Sequence, residues 1–155
     1  MTLYRHTTAI SPSKTAGQIV DLLGKAGANQ ILTDHKDGKI VGIAFSVDLQ
    51  LAPNDPAKTM RFRLPIYPDR VLKAFVHGGR RPTDATREQA DRTAWRVALE
   101  WLRAQVAYME TGQVTAAEVF LPYLVVPGGE TLYRSLETKR FAGLLPAPKR
   151  EASEA

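Results

Sequence analysis

At 155 residues, with 44% hydrophobic and 24% charged side chains, the chain is long enough to bury a core of its own as one domain. It contains no cysteine, which excludes disulfides, thiolate metal sites and cysteine nucleophiles, and no apolar run approaches the length that crosses a bilayer. The net charge of +5 is concentrated in one stretch: residues 58–103 hold eleven basic side chains against five acidic ones, while residues 1–57 balance at five each and residues 104–155 carry five against six.

The first eight residues lack the apolar core of a signal peptide, so the expected location is the cytoplasm. Ser11-Pro12 reads as a helix start, with Ser11 as cap and Pro12 in the first turn. Ala16, Ile19, Val20, Leu23 and Ala26 then recur at helical spacing until Gly27. A short strand over residues 28–34 leads to Asp37-Gly38, a strong hairpin signal. The return strand alternates strictly: Val41, Ile43, Phe45, Val47 and Leu49 form a large apolar face, and Gly42, Ala44, Ser46 and Asp48 a small or polar one. After Pro53 and Pro56 a third strand places Met60, Phe62 and Leu64 on one side and Thr59, Arg61 and Arg63 on the other. An extra edge strand is expected near residues 3–10.

Residues 68–76 form a short helix, followed by a linker, His77-Gly78-Gly79-Arg80-Arg81-Pro82, whose glycines and proline forbid regular structure. Thr86-Arg87-Glu88-Gln89 fits a capping box and opens a long helix that runs to about Thr111. Its apolar residues cover more than one stripe, so it is the spine of the domain, with Trp95 and Trp101 in the core. Thr115-Ala116-Ala117-Glu118 repeats the box ahead of a short helix, and a last helix spans residues 130–141. The Pro, Lys, Ala and Glu of residues 146–155 have nothing to bury, and the tail is expected to be disordered. These elements make residues 1–145 a single α+β domain: a small antiparallel sheet of three to four strands with segregated helices and one long central helix.

A polyanion is the natural partner for the basic middle, since each neutralised phosphate releases a counterion. Arg61 and Arg63 beside small residues on the polar sheet face could pair with phosphates, unless the long helix covers that face. Arg92, Arg96 and Arg103 align within about 40° on the long helix, although Glu88 and Glu100 are spaced to pair with them. Arg80 and Arg81 sit in the glycine linker, where a basic loop can settle on phosphates. Tyr67 is the one tyrosine of the basic segment without an evident core role, and it could stack on a base. His6, His35 and His77 are isolated, and no metal, cofactor or nucleophile motif is present. Asp84, Glu88 and Asp91 share a helix side, but acidic residues are what the dipole favours at a helix start.

Several stretches taken together resemble small uncharacterised proteins of bacteriophages and prophages. They are Lys25-Ala26-Gly27-Ala28, Phe62-Arg63-Leu64-Pro65, Gln89-Ala90-x-Arg92-x-Ala94-Trp95-Arg96 with Trp101 and Gln105, and Val119-Phe120-Leu121-Pro122-Tyr123-Leu124. That resemblance covers most of the chain and implies an accessory role in replication or recombination. The expectation is a non-catalytic, cofactor-free protein that binds single-stranded DNA through Arg61, Arg63, Arg80, Arg81, Arg92 and Arg96, with Tyr67 stacking. RNA is a further candidate ligand. The alternative is a protein-interaction module, such as a modulator of a host enzyme, docking an acidic partner on the same basic segment or assembling as a homo-oligomer.

Overall fold

The computed structural model describes residues 3–147. Helix α1 (Pro12–Lys25) is capped by the Ser11 hydroxyl, which accepts from the Lys14 N–H at 3.2 Å. It buries Ala16, Ile19 and Leu23 along one stripe. Gly27 takes φ +99 and the Ala28 N–H donates back to the Leu23 carbonyl, closing the helix end. Residues 26–28 are therefore spent on the cap, and the first strand, β1 (Gln30–Lys36), starts two residues later than its sequence suggests.

Asp37 and Gly38 both have positive φ, +51 and +76, as a two-residue I′ hairpin turn requires. They join β1 to β2 (Lys39–Leu49), which pairs on its other side with β3 (Lys58–Arg63), giving an antiparallel sheet in the order β1-β2-β3. Residues 3–10 form no strand. The outer side of β3 is instead continued by Leu124 and Val125, with the Val125 N–H on the Arg61 carbonyl at 2.8 Å.

Helix α2 (Pro68–His77) stands beyond the end of β3, and α3 (Asp84–Glu110) crosses behind the sheet. At 27 residues α3 is about 40 Å long. Its Trp95, Leu99 and Leu102 share one cluster with Ile43, Phe45 and Phe62 of the sheet and Ile19 and Leu23 of α1. Phe120 of α4 (Ala116–Phe120) completes the cluster, its ring 5.1 Å from Phe45 and 5.7 Å from Phe62. The large apolar face of β2 is thus the one the helices cover from Ile43 onward; Val41, expected on that face, is 46% exposed, because the register shift opposite Asp34 and His35 turns Ile40 inward in its place. The final helix, α5 (Leu132–Thr138), is shorter than its pattern suggests. Arg140 and Phe141 turn into the left-handed region, and Phe141 folds back edge-on to Tyr133. The tail beyond Ala147, expected to be disordered, lies outside the described residues.

The start of α3 departs from the expected capping box. Thr83, one turn before Thr86, is the cap, and its hydroxyl accepts from the Thr86 N–H at 3.2 Å. Asp84 then falls in the first turn, where its charge meets the dipole. Thr83→Ala should cost about 1 kcal/mol in chemical denaturation. Thr86→Ala should cost no more than about 0.5 kcal/mol. The reverse order would restore Thr86 as the cap.

Candidate nucleic-acid interface

The seven residues singled out above divide between three places. Arg61 and Arg63 alternate with the buried Phe62 and project, exposed, from the face of β3 opposite the core. In register they stand against Ser46 and Ala44, with Gln30 and Leu32 of β1 on the far side. Ser46 and Ala44 are buried, yet Ala44 does not join the main apolar cluster. Longer, exposed cross-strand neighbours flank them on both sides, so the two arginines stand as a wall along one edge of the small residues. Arg61 makes no side-chain hydrogen bond or ion pair among the described residues, whereas Arg63 donates to the Gly129 carbonyl at 3.1 Å.

The arginine stripe on α3 is not a free surface. Arg96 is only 8% exposed, and its guanidinium donates to the Gln18 Oε1 of α1 at 2.6 Å, with Glu100 at 4.0 Å. Arg92 is half-buried, donating to the Thr8 carbonyl and to the Gln89 Oε1. Glu100 also holds Arg5 at 3.1 Å and Arg103 at 3.3 Å. The chain before α1, expected as a strand, is a strap laid along α3, and it engages Arg92, while α1 engages Arg96 through Gln18. Arg92 and Arg96 therefore leave the candidate interface.

The third place is α2 with its two ends. Pro68 starts the helix, and the Arg70 guanidinium lies over the ring of the half-exposed Tyr67, 4.1 Å from its centroid. Arg70, Lys73 and His77 follow at helical spacing and are exposed. Arg80 turns back over the Phe75 ring at 4.2 Å, while Arg81 is exposed and makes no side-chain contact of this kind among the described residues. Tyr67 and Arg70 lie on a lip between two depressions. On one side is a cleft of about 540 Å³ between α2 and α3, lined by Tyr4, Val71, Ala74, Val97, Trp101 and Tyr123. On the other side, toward the β1–β2 turn, lie Lys36, Lys39 and Lys73 with Asp37, Asp69 and Asp91.

Trp95 is fully buried, as expected of a core residue, but Trp101 is only half-buried. Its edges pack on Phe120 and on Tyr123 (5.7 Å between ring centroids), and the ring lines the cleft. The Tyr123 phenol is pushed above its usual range by burial and by the neighbouring Tyr67. Burial likewise raises the Asp91 carboxyl, against the opposing pull of Lys39 and Arg92. Sequence reasoning passed over Arg70, although its position three residues after Tyr67, across a proline that starts a helix, was a usable signal. Trp101 and Tyr123 carried no such signal, because the rings that meet in the cleft come from segments far apart in the chain.

Among the described residues no cluster of His, Asp or Glu could hold a metal ion, and no helix is long and apolar enough to cross a membrane. Comparison with protein-family models, with curated proteins and with solved structures returns no match.

Proposed function

We propose that this α+β domain binds single-stranded nucleic acid, without catalysis, along α2 and the arginine wall of β3. The observation that carries the reading is the exposed Tyr67–Arg70 pair. A guanidinium stacked on an aromatic face offers a base a stacking surface and a phosphate a donor at one point. Exposed Arg61, Arg63, Lys73 and Arg81 add phosphate partners, and the resemblance to phage proteins favours DNA, in replication or recombination, over RNA. The apolar lining of the cleft gives a protein-interaction module as the second reading.

Fluorescence polarisation against single-stranded DNA, duplex DNA and RNA at several salt concentrations tests this. With roughly five phosphate contacts, the logarithm of the affinity should fall with log salt at a slope of about −3.5. Arg61→Ala combined with Arg63→Ala should flatten that slope by about 1.4. Both side chains are exposed, so each change should alter stability by no more than about 0.5 kcal/mol. A folded parent that binds none of the three at low salt would leave the protein-interaction reading.

A further inference from the structure

The cleft between α2 and α3 has no occupant in the reading above, although it opens directly at the Tyr67–Arg70 lip. Its walls are aromatic and aliphatic. Tyr4 of the strap is 62% exposed, Tyr67 41% and Val97 36%, so apolar surface faces solvent on three sides of one opening. Polar side-chain atoms inside are few, and the Thr93 hydroxyl is engaged already, donating to the Arg5 carbonyl at 3.1 Å. Arg70 is the one charged side chain lining the cleft, and across the lip Lys36, Lys39 and Lys73 stand with Asp37, Asp69 and Asp91, a small excess of positive charge once Arg70 is counted.

We propose that this cleft takes one unpaired nucleobase, inserted past Tyr67 toward Trp101, while the adjoining phosphates rest on Arg70 and Lys73. The proposal rests on the nucleic-acid reading and deepens it. A ligand that fits must present a flat apolar ring joined to anionic groups within a few ångströms, and a nucleotide in an unpaired strand does so. A duplex does not, because its bases are held inside the stack and extrusion costs a few kcal/mol. The hydrogen-bonding groups of the lining are mostly the tips of aromatic side chains, the Tyr4, Tyr67 and Tyr123 phenols and the Trp101 indole N–H, so stacking on those rings is the main interaction, and stacking tolerates any base. Single-strand preference without sequence preference follows from the one geometry.

The test uses the full chain and a thymidine-rich single-stranded DNA 12-mer carrying one 2-aminopurine, whose emission is quenched on stacking. Emission should fall on saturation, and oligomers rich in thymine, adenine or cytosine should bind within a few-fold of one another. Ala74→Leu with Val97→Leu fills the cleft from both helices with aliphatic groups that offer no π-face. That variant should bind about 5- to 140-fold more weakly, the range that loss of one base-aromatic stack predicts, with the salt slope unchanged. Trp101→Leu, a second route to the same loss, should weaken binding in the same sense. If the oligomer binds but its emission is constant and the filled variant binds like the parent, the base pocket is overturned while the nucleic-acid reading stands. If the parent binds no oligomer, both fall.

Discussion

Phe62→Ala is expected to lower stability by about 3–5 kcal/mol. For a chain of this size that corresponds to a fall in Tm of about 6–20 °C. Phe62 has no exposed surface, and its ring meets Phe45 at 5.5 Å and Phe120 at 5.7 Å. Those two rings come from the central strand and from α4, so neither can move in to fill the space without pulling on a different element. The hole would open directly beneath the backbone that carries Arg61 and Arg63. Phe62→Leu keeps part of the volume and should recover much of the loss. Thermal denaturation followed by circular dichroism checks both. A loss below about 1 kcal/mol for the alanine variant would show that the aromatic trio can collapse around the gap.

Arg96→Ala is expected to cost about 2–3 kcal/mol, because a charged hydrogen bond at 2.6 Å to Gln18 is lost from the buried contact between α1 and α3. Glu100 would keep Arg5 and Arg103, so it would not be left unpaired, and this holds the cost below that of breaking an isolated buried pair. The same variant separates packing from ligand contact. As a phosphate contact, Arg96 would carry about 0.7 of the salt slope. As a packing residue, its removal should lower Tm and leave the slope of the folded protein unchanged. A variant with parental Tm and a flatter slope would put Arg96 back in the interface.

Much of the architecture was legible because it rests on local rules. The β2 alternation from Ile43 onward, Asp37-Gly38, Ser11-Pro12 and Gly27 each specify a conformation through their own neighbours, and the antiparallel hairpin beside α1 followed from them. The cap falls at Thr83 rather than Thr86, which brings Asp84 into the first turn, where its charge meets the helix dipole. The candidate site was legible only in part. Arg61 and Arg63 declared their exposure by alternating with Phe62, a period-two argument that needs no distant partner. Arg92 and Arg96 failed it because helical spacing states which residues share a side, not what lies on that side. Arg92 is covered by a strap more than eighty positions earlier, tied down by Thr8 and Arg5, and Arg96 by Gln18 of α1, 78 positions earlier. The cleft was invisible for the same reason.

That strap also bears on the order in which the molecule assembles. The hairpins join strands adjacent in the chain, so their loops are short. Fixing Arg5 on Glu100 and on Thr93 instead closes loops of 95 and 88 residues. Loop closure grows costlier with length, though only logarithmically, and contacts of high sequence separation slow folding. One wall of the cleft thus hangs on the side-chain hydrogen bonds of greatest sequence separation among the described residues. A ribosome must have delivered most of α3 before Tyr4 has anything to lie against, so for much of synthesis the opening lacks a side that the finished protein possesses.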